Sequence, residues 1–189
     1  MSFKENVNMA DLSDATVTRN AGNSDVTSIS GYYEVECYGA DGVLKWKDDI
    51  HNLVTTVGKN FTMDTILGNV AGGAVIMGLK GTGTAVIGDT QASHAGWLEV
   101  GLANAPTYTA PRKSPSFSAA SGGAKATSSA VSFAMTGSGT VAGCFINIAG
   151  TTAIDNTTGT LFSAGDFTAG SKTVTSGDSL SVTYTATAA

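Results

Sequence analysis

The chain has 189 residues and a formal net charge of −5, and only 13% of its residues are charged, about half the usual share. Its ten Lys and Arg residues form no basic cluster, which argues against direct binding to nucleic acid. No window of about 18 apolar residues exists, so the sequence predicts no membrane-spanning helix. The many Gly, Ala, Ser and Thr residues favour one all-β domain with much of its surface covered by other protein.

Residues 1–30 are polar, and their few apolar side chains follow neither a helical nor a strand period. We predict an extended or flexible N-terminal arm, which is either a disordered tail or a segment that becomes ordered against a neighbouring subunit. Three spaced apolar residues would make that contact: Val7, Met9 and Leu12. The arm also lacks the apolar centre of a signal peptide, which predicts synthesis in a cytosol.

A β-hairpin is predicted at the start of the domain, which we place at residues 31–189. Tyr33, Val35 and Cys37 alternate with polar residues, and after an Asp41-Gly42 turn residues 43–48 alternate again. Two alternating segments around such a turn are typical of a hairpin. The acidic residues of the first strand are expected to lie across from the lysines of the second: Glu34, Glu36, Lys45 and Lys47.

One helix is predicted from Thr56 to a stop at Gly68, about three turns that would cover one face or end of the sheets. The stretch from Ala74 to Gly101 then predicts a strand, a Gly-Thr turn, one or two helical turns and a second strand. In that interpretation Asp89 is the N-cap of the short helix and Gly96 ends it.

The C-terminal half contains further strands with apolar alternation, and its three prolines between residues 106 and 115 predict a surface crossover or an extended edge segment. The fold prediction is an all-β, antiparallel two-sheet sandwich of jelly-roll type, with eight or more strands and one or two short helices. Ten side chains are predicted to form its core: Tyr33, Val35, Leu44, Trp46, Trp97, Phe133, Phe145, Ile146, Val182 and Tyr184.

The sequence favours no reaction chemistry, and we predict no enzyme, no cofactor and no metal site. Asp89, Ser93 and His94 supply the residue types of a catalytic triad, but three groups on one short turn cannot form its relay. We expect Asp89 to cap the turn and His94 to pack on or near Trp97. Asp155 and Asn156 are interpreted as turn residues, because a calcium site would need further acids at ligand spacing.

Four other side chains have two interpretations each. Cys37 and Cys144 lie in apolar, strand-like patterns, and buried free thiols are favoured over a disulfide. Trp46 and Trp97 also sit in apolar alternation, which favours the core over stacking on a sugar.

Two stretches carry a resemblance to a known family. Residues 77–101 contain GLKG…DTQASHAGWLEVG, and residues 158–188 contain TGTLFSA…GDSLSVTYT. With the strands between them, they resemble a family of small structural proteins of tailed-bacteriophage virions over residues 31–189. The resemblance implies a structural, decoration or tail protein, and the small β proteins that cement capsids have jelly-roll sandwiches.

The main functional expectation is therefore a capsid cement or decoration protein that binds the outside of the shell and stabilises it. Its partners would be the major capsid protein and other copies of itself, as a homotrimer or alternatively a dimer, with Val7, Met9 and Leu12 as contacts. It would be made in the bacterial cytoplasm and reside on the virion exterior.

Two alternatives remain: a tail or head-fibre module that recognises a host-surface glycan, and an unrecognised hydrolase. Neither repeats nor a coiled-coil stalk supports the fibre.

Overall fold

A computed structural model describes residues 28–188, which form twelve β-strands and one α-helix. The arm residues Val7, Met9 and Leu12 lie outside the described residues. The elements in chain order are β1 (Ile29–Tyr38), β2 (Leu44–His51), β3 (Leu53–Val54), α1 (Thr56–Ile66), β4 (Val75–Gly83), β5 (Trp97–Val100), β6 (Ala124–Ala126), β7 (Val131–Ala134), β8 (Gly139–Val141), β9 (Gly143–Ile148), β10 (Thr160–Asp166), β11 (Lys172–Val174) and β12 (Ser179–Ala188).

Two five-stranded antiparallel sheets make up the fold. The first has the order β2-β1-β12-β6, with β7 also paired to β12, and the second has the order β3-β10-β9-β4-β5. A separate ribbon pairs β8 with β11. Buried side chains from both sheets meet in one core, which confirms the predicted all-β antiparallel sandwich. The jelly-roll connectivity stays a prediction.

The core lies between the two sheets because one face of each strand is apolar. Tyr33 of β1 and Tyr184 of β12 are directly opposite in the ladder, and their rings lie 4.6 Å apart. Met77 of β4 and Ile146 of β9 pair in the same way in the second sheet. Eight of the ten predicted core residues are buried. Six of them lie in this core: Tyr33, Val35, Phe133, Ile146, Val182 and Tyr184. The other two, Trp97 and Phe145, belong to a second buried cluster with Leu161 and Ala164.

The prediction was wrong for Leu44 and only partly right for Trp46. Leu44 is 50% exposed, because it lies at the tip of the hairpin, away from the residues that form the core. Trp46 is half-buried and packs edge-on against Phe167, with ring centroids 5.5 Å apart. The hairpin itself is confirmed, with a register irregularity between Cys37 and Tyr38.

The predicted charge match across the hairpin is confirmed for only one of the two lysines. Lys47 lies directly opposite Glu36, with 3.2 Å between Nζ and Oε1, and it is 3.7 Å from Glu34. Lys45 instead turns away to Asp178, at 2.7 Å. Exposed pairs of the first kind contribute little to stability.

Helix α1 begins at Thr56 and is followed by Gly68, as predicted. The hydroxyl of Thr55 accepts a hydrogen bond from the Gly58 amide at 3.0 Å, which satisfies one of the free amides of the first turn. Gly58 allows the helix to lie directly on β10, since a Cβ there would be 2.3 Å from the carbonyl oxygen of Phe162. Gly68 has a φ of +77° that suits the end of a helix.

The predicted helical turn between β4 and β5 is not formed, and this part of the prediction was wrong. Residues 84–96 are a loop in which the Asp89 carboxylate accepts from the Val86 amide, instead of from amides that follow it. Gly96 is needed for a close backbone approach, because a Cβ there would be 2.6 Å from the carbonyl oxygen of Thr84. One or two turns have too few hydrogen bonds to offset helix nucleation.

The C-terminal half follows the predicted plan with one division. The proline-containing segment 101–123 crosses from β5 in the second sheet to β6 in the first, as predicted. The apolar run at residues 141–148 is divided between the end of β8 and β9, and β9 is central in the second sheet. Cys37 and Cys144 are buried free thiols, as predicted. Among residues 28–188, no helix has the length and hydropathy needed to cross a membrane.

Replacing Trp97 with alanine should lower the free energy of unfolding by about 3–5 kcal/mol. The indole is buried and packs against Phe145, with ring centroids 5.5 Å apart, so its loss leaves a cavity. Chemical denaturation measures the change. Leu98→Ala is the matched control, because Leu98 is the next residue of the same strand and is exposed, and it should cost less than about 0.5 kcal/mol. Equal losses for both variants would contradict the assignment of Trp97 to the core.

Candidate interaction surface

The polar residues of the loop between β4 and β5 surround Trp97. Asp89 Oδ2 accepts from the indole Nε1 at 2.9 Å, and the His94 ring stacks on the indole with centroids 4.0 Å apart. His94 Nδ1 also lies 3.0 Å from the carbonyl oxygen of Trp97. The expected contact between His94 and Trp97 is therefore confirmed. Asp89 and His94 thus make structural contacts to Trp97, and within residues 28–188 neither forms a hydrogen bond to the Ser93 hydroxyl.

Lys80 is a second buried polar residue of this region. Its ammonium bonds to the carboxylate of Asp166 and to the carbonyl oxygens of Gly81 and Gly83. It also lies 5.8 Å from the centre of the Trp97 ring. The lysine is fully buried while Asp166 is partly exposed, so this pair closes the end of β4 against the end of β10.

A buried ion pair lies at the outer face of the second sheet. Arg112 and Glu99 form two parallel hydrogen bonds, one of them 2.7 Å long between Nε and Oε1. The other Glu99 oxygen also accepts from the Asp155 amide at 2.9 Å, and Arg112 donates to the Asn156 carbonyl at 2.8 Å. The pair therefore fixes the loop after β9 to β5. Sequence reasoning missed it, because Glu99 and Arg112 lie in unrelated local patterns.

Asp155 and Asn156 serve the loop itself, in agreement with their interpretation as turn residues. The Asp155 carboxylate accepts from the Ala103 amide at 3.0 Å, and the Asn156 side chain accepts from the Thr158 amide at 2.9 Å. Asp155 has a φ of 60°, a left-handed conformation that Asp tolerates in turns. In the part of the chain that the structure describes, no group of three or more His, Cys, Asp or Glu side chains is arranged to hold a metal ion.

Two buried aspartates have pKa values below their ordinary range. Burial alone would raise the pKa of Asp178, but the hydrogen bonds from Lys45 and Thr175 outweigh it. Burial likewise opposes ionisation of Asp48, and the hydrogen bond from Lys172 with those from two backbone amides lowers its pKa overall. Nearby, burial is the main reason why the pKa of Cys37 is raised to about 11, so this thiol is a poor nucleophile.

An exposed apolar stripe on and just after α1 is the feature that these structural contacts leave unexplained. Met63 and Ile66 lie one turn apart on α1, Leu67 and Val70 follow the end of the helix, and all four are exposed. Ile66 and Leu67 are 70% and 76% exposed. We call these four residues the α1 stripe. An apolar stripe normally packs on a core, so here it is a candidate surface for contact with other protein.

The residues of both segments that resemble phage virion proteins have structural roles in this fold. Lys80, Asp89, His94 and Trp97 of the first segment form the contacts around the indole, and Glu99 holds Arg112. The second segment supplies β10 and β12. No protein-family profile, curated protein or solved structure matches this chain. The membership of that family therefore stays a prediction from the two segments.

Glu99→Gln should lower the free energy of unfolding by about 3–5 kcal/mol, because it leaves the Arg112 guanidinium buried without its counter-charge. Denaturant titration measures the change. The matched control is Glu34→Gln, which removes an exposed carboxylate 3.7 Å from Lys47 and should cost at most about 1 kcal/mol. A Glu99 variant as stable as this control would show that the buried pair does not hold the loop.

The melting temperature should fall as the pH is lowered from neutral towards 3. Because the pKa values of Asp48 and Asp178 are lower in the folded chain, their contribution to stability is complete above the unfolded pKa of about 4 and is lost as the pH falls through the folded values. Asp178→Asn should flatten this dependence, whereas Asp41→Asn, in the exposed hairpin turn, should not. Identical pH profiles for the Asp178 variant and the unmodified chain would contradict this account.

Proposed function

We propose that this chain is a structural protein of a tailed-phage virion, a capsid cement protein that binds the outside of the shell and other copies of itself. The α1 stripe carries the proposal. A solvent-exposed run of Met63, Ile66, Leu67 and Val70 favours a role in assembly, since an isolated domain gains nothing from it. The resemblance of two segments to phage virion proteins indicates that the assembly is a phage virion.

The size of the stripe argues for many weak contacts instead of one strong one. Covering its exposed side chains would contribute about 1–2 kcal/mol each, because each is already partly buried. Association costs about 4–15 kcal/mol in lost freedom, so a single stripe cannot hold one copy firmly. A homotrimer that presents three stripes to a shell makes the later contacts intramolecular and raises the avidity. This arithmetic favours a symmetric oligomer on a repetitive surface.

The buried polar residues support a structural role in a second way. The ionisable groups around Trp97 and the Arg112–Glu99 pair bond to each other or to the backbone, so they serve to hold loops on the second sheet. Trp97 is buried, which removes it as a platform for a sugar ring, and the Nε1 of Trp46 donates to the carbonyl of Thr173 at 3.3 Å. The glycan-binding alternative thus lacks a fully exposed tryptophan among residues 28–188.

The test compares a double variant of the stripe with a control on the same helix. The double variant carries Ile66→Glu and Leu67→Glu. It should keep the fold, because both side chains are exposed, but its binding to purified heads of the parent phage should be weaker by about tenfold or more. Asn60→Glu is the control on the same helix, since it also adds a negative charge at an exposed position. Sedimentation of the protein with heads measures binding, and circular dichroism confirms folding.

Electron microscopy of particles with and without the protein locates it. Density or gold label on heads, together with heads that burst more readily when the protein is missing, is the expected result. Label confined to tails would overturn the cement proposal in favour of the fibre alternative. Equal head binding by the double variant at Ile66 and Leu67 and by the Asn60→Glu control would show that the α1 stripe is not the contact surface.

A further inference from the structure

An apolar groove opens between the two sheets at the end where β1 begins and β12 ends. Val75 of β4 and Ile148 of β9, which are paired in the second sheet, line one side. Phe117, Tyr184 and Ala186 line the other side, and the space between them is about 150 Å³. Apolar cavities of this size in other proteins stay dry and accept a group as large as benzene. We call this feature the inter-sheet groove.

The chain enters the described fold beside this groove. Ile29 is the first residue of β1, and it pairs with Ala188 at the end of β12, two residues beyond Ala186. The inward-facing residues of β12 alternate, so Tyr184 and Ala186 lie on the same face as Ile29. The described chain therefore begins at the rim of this apolar space.

We propose that the arm segment 7–12 of the same chain occupies the inter-sheet groove, with Val7 and Met9 as the inserted side chains. This occupant goes beyond the virion role and does not depend on it, because the contact would form in the isolated protein. Both side chains are apolar, and together they are close in size to the benzene-sized group that such a space accepts. Val7 and Met9 are two residues apart, the spacing that places both on one face of an extended segment.

Charge complementarity supports this segment and its orientation. Lys125 of the edge strand β6 lies at the groove, and it takes part in no ion pair within residues 28–188. Asp11 follows Met9 by two residues and so shares its face in an extended segment, which would bring the carboxylate to the rim when Met9 is inserted. The ammonium of Lys125 can then meet Asp11 while the apolar neighbours are buried.

Chain length favours the chain's own arm over the arm of a second copy. Fifteen residues separate Leu12 from Ser28 and could extend to about 50 Å, whereas β1 and β6 are only two strand spacings apart, about 10 Å. A linker with this much slack gives an effective concentration of about millimolar, above that of other copies in dilute solution. The intramolecular contact should therefore dominate when the protein is free.

Disulfide trapping tests the contact in the full-length chain. Val7, Met9 and Leu12 are each replaced by Cys in turn, and each is combined with Ala186→Cys on the groove side of β12. The matched control combines the same arm cysteines with Thr185→Cys, which lies on the opposite face of the same strand. At least one arm position should form a monomeric disulfide with Cys at 186 about tenfold faster than with Cys at 185. The native Cys37 and Cys144 are buried and compete little.

A second measurement does not depend on the cysteine variants. Replacing Val7, Met9 and Leu12 together by Asp should uncover the groove and raise the fluorescence of an apolar dye such as anilinonaphthalene sulfonate. The control replaces Asn6, Asn8 and Ser13 by Asp, which adds the same charge at neighbouring positions and should leave dye binding unchanged.

Any one of three results would overturn the proposal. Equal trapping rates at positions 186 and 185, or equal dye binding by the two Asp-substituted chains, would show that this segment does not occupy the groove. Disulfide-linked dimers as the main trapped product in dilute solution would show that the occupant is the arm of a second copy. None of these results depends on whether the protein binds phage heads, so failure here is distinct from failure of the cement proposal.

Discussion

The ladder between β1 and β12 is the constraint on which the rest of the sandwich depends. It joins residues 29–38 to residues 179–188 along the full length of both strands. β2 adds to the free edge of β1, while β6 and β7 add to β12, so the whole first sheet is built on this one pair. Its closure must offset the entropy of a loop of about 140 residues, and only a long, well-matched pairing can do so.

The register of that ladder is specified by its inner face. Tyr33 opposite Tyr184 and Val35 opposite Val182 place large apolar side chains in the core together. A slip of one residue would turn every one of them towards solvent. The same register sets where the described chain begins, so the start of β1 lies beside the inter-sheet groove as a consequence of the central pairing.

The second sheet depends on hydrogen-bond partners for buried backbone, because loops cover its outer face and their polar backbone groups are buried. Buried carbonyl and amide groups in those loops need partners. Arg112 and Glu99 provide them for the loop after β9, and Lys80 does so at the end of β4. Ion pairs of this kind add little net stability, since desolvation cancels much of the attraction, but they exclude alternative loop positions. The buried charges of the second sheet thus specify loop positions more than they add stability.

Sequence patterns predicted the elements whose signals are local. Alternation predicted β1 and β12, and the start at Thr56 with Gly68 at the end predicted α1, because period and helix stop signals are properties of a few neighbouring residues. The helical turn assigned to Asp89 and Gly96 was wrong because both residues serve contacts across the fold, to Trp97 and to the Thr84 carbonyl. The Arg112–Glu99 pair and the inter-sheet groove were not predictable, since each joins distant segments. The α1 stripe could have been found from the i, i+3, i+4, i+7 spacing of its members.

The weak attachment of α1 to the rest of the fold couples the formation of its last turn to the binding of a partner at the α1 stripe. The helix has 11 residues, too short to be stable alone, and the only fully buried residue in it is Gly58 in the first turn. Its last turn therefore depends on few contacts within the described chain. A partner that covers Ile66 and Leu67 would bind the helical form and not the frayed one, so binding and helix formation would stabilise each other. Because Val70 is followed after four residues by Val75 at the inter-sheet groove, ordering of the helix end also bears on the segment that lines the groove.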